Sequence, residues 1–286
     1  MEGTQRVCKK FTALEAELTC ECKTIREPLD SSMDLHNHDG HEILLVLDGA
    51  INFYAESGGM LLERGDLICI HELEFHRAAL LTKGLYDRIV INIRSGVLKR
   101  ASSEQTDLES CFQKRAESPL NVVRLMEEEI AKIEEYAKAL QESLRDGRCG
   151  DEILADAYLK LIMVMVNRHF EKKEFVQHRE IMPELVMETF EYIEKHLTEE
   201  ITLKKLEEYV HHNGTYLSRC FKKVAGISLQ QFILAKKISL SCKLLQEGHP
   251  PIDVCYMTGF NNYSNFSRTF SKQVGMSPKK YQMQNR

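Results

Sequence analysis

A sixteen-residue segment occurs twice in this chain, at a constant offset of 49 residues. The first copy covers residues 217–232 and the second covers residues 266–281. Both copies place Ser-Arg, Phe, Lys, Gly and Ser at the same positions. Each has the pattern of a short basic helix that ends at a glycine and is followed by a serine that begins the next helix. Two equivalent basic helices predict contact with a repeating object, and double-stranded DNA is the best candidate.

The charge of the chain is distributed unevenly. Residues 201–286 carry 13 Lys and Arg against 4 Asp and Glu, whereas residues 1–200 carry 25 against 39. A basic C-terminal module on an acidic body is typical of a DNA-binding domain joined to another domain. An accidental surface imbalance is the alternative, but the positive charge coincides with the repeat. A chain of 286 residues has room for two domains.

Several classes of protein are disfavoured by composition. The nine cysteines are scattered, with no CxxC framework, which fits reduced thiols in a cytosol. The N-terminal residues contain no apolar segment, so no secretory signal is expected. The longest aliphatic run, residues 161–166, is too short to span a bilayer. We therefore expect a cytoplasmic protein without a membrane partner.

Residues 1–100 have the pattern of β-structure. Short runs rich in branched apolar residues occur at 43–47, 51–54, 67–70 and 88–93. Turn signals such as Asp48-Gly49 separate them. Many short strands at roughly ten-residue spacing predict a small barrel or jelly roll.

Four polar residues in this region form a candidate ligand-binding site. His36 and His38 lie on the same face of an extended strand. Together with Glu42 and His76 they can converge inside a barrel as three imidazoles and a carboxylate, a set competent to bind a divalent transition metal. A pocket for a small polar ligand, a structural role and a metal site are all compatible with this pattern. We favour the ligand pocket and expect no metal and no cofactor, with His41 facing away.

The same region resembles the cupin motif in its spacing. The matching residues are His36, His38, Glu42, Gly49, Gly65 and His76. His71-Glu72 stand where cupins usually have a proline, a departure that bears on catalysis more than on fold. The resemblance implies a cupin-like barrel.

Residues 101–200 show helical periodicity instead. Apolar spacing from Leu120 to Leu144 predicts an amphipathic helix that begins after Pro119 and ends at Asp146-Gly147. A second helix is predicted from Glu152 to Phe170. Its apolar residues extend nearly all round, which favours a homodimer contact over purely intrachain packing. Residues 171–183 lack periodicity and are interpreted as a linker, after which Pro183 begins the next helix.

Residues 201–286 contain two helix pairs with a basic second helix. Thr202 is the predicted N-cap of a helix through Val210, with Leu203, Leu206, Tyr209 and Val210 as its buried stripe. The next helix is predicted at 215–224, and the second pair at 252–258 and 262–274. A long helix at 228–246 joins them. Helix, tight turn and basic helix is helix-turn-helix architecture, in which the second helix enters the major groove.

These motifs closely resemble the C-terminal domain of the AraC/XylS family of bacterial transcription regulators, over residues 183–283. The most specific part is 252–281, with Gly259-Phe260, Phe266-Ser267-Arg268, Phe270 and Gly275-x-Ser277-Pro278. The resemblance implies that two recognition helices enter successive segments of the major groove. It implies base reading by Thr215, Ser218, Arg219, Ser264, Ser267 and Arg268. Phosphate contacts are expected from Lys222, Lys223 and Lys272.

We therefore predict an α+β chain of two domains. It has an N-terminal cupin-like β-barrel followed by helices, and a C-terminal all-α domain with two helix-turn-helix motifs joined by a long helix. The predicted divisions are 1–100 for the sensor barrel, 101–171 for a helical dimerisation region, 172–182 for the linker and 183–286 for the DNA-binding domain.

The predicted function is sequence-specific transcriptional regulation, not catalysis. The regulator would respond to a small polar effector in the barrel, for which family analogy suggests a sugar or related metabolite. The expected partners are double-stranded DNA, the effector and a second copy of the chain, with RNA polymerase a further candidate. The alternatives are a constitutive DNA-binding dimer with a structural barrel and a metal-dependent cupin enzyme.

Overall fold

The computed structural model describes residues 11–12, 16–25, 34–80, 86–113, 118–172 and 179–284. Its strands are β1 (Phe11–Thr12), β2 (Leu18–Ile25), β3 (Asn37–His38), β4 (His41–Asp48), β5 (Ala50–Ala55), β6 (Gly58–Glu63), β7 (Asp66–Ile70), β8 (His76–Leu80), β9 (Tyr86–Ile93) and β10 (Asn121–Arg124). Its helices are α1 (Ser95–Ala101), α2 (Glu127–Asp146), α3 (Asp151–Glu171), α4 (Glu184–Lys195), α5 (Leu203–Val210), α6 (Gly214–Ala225), α7 (Leu229–Gln246), α8 (Pro251–Met257), α9 (Tyr263–Val274) and α10 (Pro278–Gln284).

Two facing sheets form the N-terminal β-structure. One has the order β10-β7-β4-β9-β2 and the other β6-β5-β8, while β3 pairs in parallel with β1. The four predicted strands are confirmed, since they fall within β4, β5, β7 and β9. Alternate side chains point to opposite faces of a strand. Leu44 and Val90 therefore pack between the sheets, whereas Ile43 and Ile91 pack under α2 and α3.

The helix predicted to begin after Pro119 begins later than expected. Residues 121–124 instead form β10, the edge strand of the larger sheet, paired antiparallel with β7. Val122 and Val123 are β-branched and favour this extended pairing. The helix α2 starts at Glu127, where the Glu129 carboxylate accepts a hydrogen bond from the Met126 backbone N–H. It ends, as predicted, at Gly147 in the left-handed conformation.

Part of the predicted linker is attached to the β-structure. Leu61 N–H donates to the Arg179 carbonyl, and Ile181 N–H donates to the Gly59 carbonyl. Residues 173–178 of that linker lie outside the described residues, as do residues 1–10, where no secretory signal is expected. In the part of the chain that the structure describes, no helix is long and apolar enough to cross a membrane.

The C-terminal domain contains the two predicted helix pairs and the connecting helix. Thr202 accepts a hydrogen bond from Lys205 N–H and caps α5, as its sequence position predicts. Asn213 and Asn262 are the N-caps of α6 and α9, and the side chain of each accepts a hydrogen bond from a backbone N–H of its helix. These two residues are also 49 positions apart, so the caps are part of the repeat. The predicted buried stripe of α5 is partly wrong. Leu203 and Tyr209 are 45% and 41% exposed, and only Leu206 and Val210 of the predicted stripe are buried.

Two apolar cores stabilise this domain, and one of them crosses to the β-structure. Phe270 and Tyr281 belong to a core around α9 and α10. Phe190, Phe221 and Phe232 belong to a second core around α4, α6 and α7, which also contains Leu35 and Phe75 from the N-terminal half. The β-structure and the C-terminal helical domain therefore share buried surface in this structure.

Candidate effector pocket and nucleic-acid interface

A cavity of about 320 Å³ opens between the two sheets. It is lined by Glu21, Lys23, His36, His38, Glu42, Leu44, Phe53, His76, Ala78, Arg88, Val90 and Asn92. The structure thus brings together all four predicted ligand-binding residues, His36, His38, Glu42 and His76, which we call the His–Glu cluster. His36 and His76 exchange backbone hydrogen bonds, and their ring centroids are 4.6 Å apart.

Glu42 is the anionic centre of this cluster. Its Oε2 lies 3.0 Å from His38 Nε2 and 3.7 Å from His76 Nε2. Burial opposes ionisation, but the two imidazoles outweigh it and hold the pKa of Glu42 well below its usual range. Burial likewise opposes protonation of His76, yet Glu42 raises the pKa of that imidazole. His36 is further from the carboxylate, and burial lowers its pKa to about 4.

Backbone carbonyls fix the orientation of all three imidazoles. In each ring Nδ1 lies within hydrogen-bond distance of a carbonyl oxygen and can only donate to it. The pairs are His36 with Asp34 at 3.0 Å, His38 with Gly40 at 2.8 Å and His76 with Glu74 at 2.9 Å. The Nε2 atoms are therefore left as the ligating atoms. One ligand atom each from His38, Glu42 and His76 lies within 4.8 Å of the others, a donor set that suits a divalent transition metal.

His41 faces away from the cavity, as its spacing predicts. Its ring stacks on Phe112 with centroids 4.2 Å apart, and its Nε2 lies 3.0 Å from Ser95 Oγ. Its Nδ1 accepts a hydrogen bond from Glu72 N–H, so the neutral imidazole carries its proton on Nε2. Burial lowers its pKa to about 4, consistent with a structural role.

Strand β9, which pairs with β4 beside Glu42, contributes polar residues to the cavity that the sequence reasoning missed. Arg88 and Asn92 alternate with Ile89 and Ile91 on β9, so they point between the sheets while the isoleucines pack under the helices. Arg88 Nε and Asn92 Oδ1 are buried and have no hydrogen-bond partner among the residues that the structure describes. The sequence does contain an indication of this, because Arg88 and Asn92 fall on the same face of an otherwise apolar strand.

The residues beside the His–Glu cluster contact the first recognition helix. Leu35 N–H donates to the Ala225 carbonyl at 2.9 Å. The Arg77 guanidinium donates to the carbonyls of Lys223 and Val224 at 3.0 and 2.5 Å. These are the last carbonyls of α6, which a cation stabilises at a helix C-terminus. Leu35 precedes His36 and Arg77 follows His76, so each of these two residues that contact α6 is the direct chain neighbour of a pocket residue.

The connecting helix α7 also contacts the β-structure. Asn37 Nδ2 donates to Ser239 Oγ at 2.9 Å, and Lys236 Nζ lies 2.7 Å from Glu56 and 2.6 Å from Glu194. A larger cavity, of about 500 Å³, lies between the two halves near Lys236 and Arg94. Lys236 is already paired there with two carboxylates, and Arg94 with Asp39. The smaller cavity between the sheets, whose Arg88 has no described carboxylate partner, is therefore the better ligand site.

The predicted DNA-reading residues lie on the outer faces of α6 and α9. The exposed ones are Thr215, Arg219, Lys222, Lys223, Ser264, Arg268 and Lys272, and the half-buried ones are Ser218 and Ser267. The opposite faces are fully buried, through Leu217 and Phe221 in α6 and through Phe266 and Phe270 in α9. Tyr216 is 48% exposed beside Thr215 and was not predicted as part of this surface.

Family models match both halves of the chain. An AraC-like ligand binding domain matches residues 21–162, and a helix-turn-helix domain matches residues 206–284. The chain belongs to the AraC/XylS family of transcriptional regulators. The chain therefore contains an AraC-like ligand-binding domain and a helix-turn-helix domain.

Individual relatives agree with this assignment. The chain is 38% identical to the HTH-type transcriptional regulator YobQ of Bacillus subtilis, over 32% of this chain and 38% of the relative. It is 22% identical to the HTH-type transcriptional regulator SAR0107 of Staphylococcus aureus, over 90% of this chain and 33% of the relative. The chain thus spans about a third of the length of these relatives. Among solved structures, ToxT of Vibrio cholerae aligns over 94% of this chain and 98% of its own, at 16% identity and a TM-score of 0.40.

Proposed function

We propose that this AraC-family chain binds a specific operator with both recognition helices and that a small polar effector in the cavity between the sheets changes its affinity for that operator. The observation that carries the proposal is the contact between the pocket and α6. The neighbours of His36 and His76 hold the last carbonyls of the first recognition helix. An effector that binds this docked arrangement better than any other must, by linkage, change the DNA affinity.

The two recognition helices would divide the work between bases and phosphates. Arg219 and Arg268 are exposed at equivalent positions of α6 and α9, and arginine suits guanine O6 and N7. Thr215, Ser218, Ser264 and Ser267 would contact bases or phosphates beside them. Lys222, Lys223 and Lys272 would neutralise phosphates near the helix ends. The connecting helix α7 would hold the two helices in groove segments about 34 Å apart.

The test is operator binding by arginine variants. Arg219→Ala and Arg268→Ala should each lose about 1–3 kcal/mol of specific binding, because each removes a base contact. Arg100→Ala is the matched control, since it removes an exposed arginine that pairs with Glu17 on the N-terminal half. Wild-type affinity should also fall steeply between low and physiological salt, because several phosphates are neutralised. Unchanged affinity and footprint in both variants would refute the residue roles, and a flat salt response would refute the DNA model.

The orientation of the imidazoles supports a second candidate, a sensor pocket that holds a divalent metal. His38, Glu42 and His76 would be its ligands. The metal would supply a Lewis acid that binds an effector oxygen, and the protein would still act through DNA. A constitutive DNA-binding dimer with a purely structural β-domain is the remaining alternative. It predicts that no small molecule raises the melting temperature of the chain.

A further inference from the structure

The charges in the cavity between the sheets are not balanced within the described residues. Glu42 is paired with His38 and His76, and Glu21 is paired with Lys23. Arg88 lines the same cavity, and no carboxylate of the described residues pairs with it. Its guanidinium lies over the Tyr86 ring, 5.2 Å from the centroid. Burial raises the pKa of Tyr86 to about 12, so this phenol stays neutral and does not compensate the charge.

The strand register places Arg88 at the far end of the cavity from the His–Glu cluster. Asn92 is the cross-strand partner of Glu42, and Arg88 is the partner of Val46. Arg88 and Asn92 are four positions apart on an extended strand, which is about 13 Å between their Cα atoms. Val90, between them on the same face, lines an apolar wall with Leu44. The cavity thus has a cationic end, an apolar middle and a His–Glu end.

Unsatisfied atoms define what a ligand must offer. Within the described part of the chain, Arg88 Nε is a buried donor without an acceptor, and Asn92 Oδ1 is a buried acceptor without a donor. A buried polar group without a partner is costly, so each such atom favours a ligand that satisfies it. A guanidinium pairs best with a planar oxyanion, through two parallel hydrogen bonds. An amide oxygen is satisfied by a hydroxyl group.

We propose that the cavity takes a small hydroxycarboxylate, with its carboxylate on Arg88 and a hydroxyl group on Asn92 beside Glu42. This inference rests on the proposed effector pocket and narrows it to an acid, in place of a neutral sugar. A volume of about 320 Å³ is at the lower end of the range for small-molecule sites, which fits a six-carbon hydroxy acid. Arg88 is then the specificity-determining residue, because a neutral analogue leaves its charge without a partner.

The test compares ligands that differ only in the acid group. The full chain would be titrated with D-galacturonate against D-galactose and with D-gluconate against D-glucitol, by calorimetry and thermal shift. At least one acid should bind and raise the melting temperature, while its neutral partner should not. Arg88→Met keeps much of the length of the side chain but removes its charge. It should weaken binding of the acid about tenfold or more, because hydrogen bonds to charged groups are stronger than those between neutral groups. Arg88→Lys should retain part of the affinity.

Arg100→Met is the matched control. Arg100 is an exposed arginine that does not line the cavity and pairs with Glu17. Its variant should bind the acid like the wild type. Binding of the neutral sugars as tightly as the acids, equal affinity in Arg88→Met, or no binding of either acid would overturn the inference. Operator affinity of unliganded Arg88→Met, measured separately, should equal that of the wild type. Wild-type operator affinity in Arg88→Met would show that the variant is folded. The DNA-binding proposal would then hold whatever the ligand titrations show.

Discussion

At the scale of single residues, the His–Glu cluster is set up for a cation. His38 and His76 each use Nδ1 on a backbone carbonyl, so their Nε2 atoms face the Glu42 carboxylate, whose charged form burial would otherwise destabilise. In a neutral imidazole held this way, Nε2 carries a lone pair, and a lone pair facing Glu42 is unfavourable. Either a proton on an imidazole or a bound metal ion resolves the conflict.

The metal alternative gives a pH-dependent prediction. Zn²⁺ or Ni²⁺ added to the full chain should raise its melting temperature, because the ion binds only the folded ligand set. Glu42 raises the pKa of His76 above its ordinary value, so protons compete with the metal for this imidazole. The stabilisation should grow as the pH rises through that pKa and vanish below it. His76→Gln should lose the effect, and His71→Gln, which removes an exposed histidine outside the cluster, should keep it. An equal shift in both variants would place the metal elsewhere.

Sequence reasoning found one half of this pocket and missed the other. The i, i+2 spacing of His36 and His38 puts both side chains on one face of any extended segment. Glu42 follows four residues after His38, at the start of β4. The role of Arg88 depends instead on which face of β9 points inward. That is set by the pairing of Asn92 with Glu42 across two strands fifty residues apart in sequence, which local periodicity does not encode.

At the scale of elements, local pattern decided most boundaries, and tertiary pairing decided the exceptions. Thr202 and Gly147 are local capping signals, and both mark helix ends as predicted. Leu120 and Val123 have a spacing that a helix and a short strand both accommodate. The segment forms β10 because its backbone pairs with the edge of β7. The local sequence around Leu120 and Val123 does not indicate that such an edge is nearby.

The end of the first recognition helix provides a test of the contact between the domains. Gly226 ends α6 at φ +76°, and an added Cβ would lie 2.8 Å from Asp34 Oδ1. Gly147 ends α2 at φ +65°, with no atom within 4 Å of its Cβ position. Each Gly→Ala change should cost roughly 1–2 kcal/mol of unfolding free energy from left-handed strain alone. Gly226→Ala should cost clearly more, measured by urea denaturation, because it also pushes against Asp34. Equal losses would show that the halves are not in contact at this point in solution.

At the scale of the whole molecule, the docked arrangement leaves the proposed DNA-reading surface exposed. The β-structure contacts the C-terminal end of α6 and one side of α7, whereas Arg219 and Arg268 remain exposed. An effector therefore need not uncover the recognition helices. It need only change how firmly the β-structure holds α6 and α7. That would change the fraction of molecules in which α6 and α9 have the spacing that one operator requires.

The second copy of the chain is expected at α3. Leu154 and Leu161 are 46% and 45% exposed and lie seven residues apart on one face of that helix. Exposed leucines at this spacing favour a partner helix, and the same helix in a second chain supplies one. The double variant Leu154→Glu and Leu161→Glu should therefore be monomeric in sedimentation at concentrations where the wild type is dimeric. Met283→Glu is the control, since it replaces an equally apolar residue, 72% exposed, on α10.

A monomeric variant separates assembly from DNA reading. Each chain carries both recognition helices, so the monomer should still bind one copy of the operator sequence, with the salt dependence of a single DNA-binding domain. It should lose the added affinity that two linked domains gain on a repeated operator. A double variant that sediments like the wild type would exclude α3 as the dimer contact. A variant that is monomeric yet binds repeated operators as tightly as the wild type would show that dimerisation contributes nothing to operator recognition.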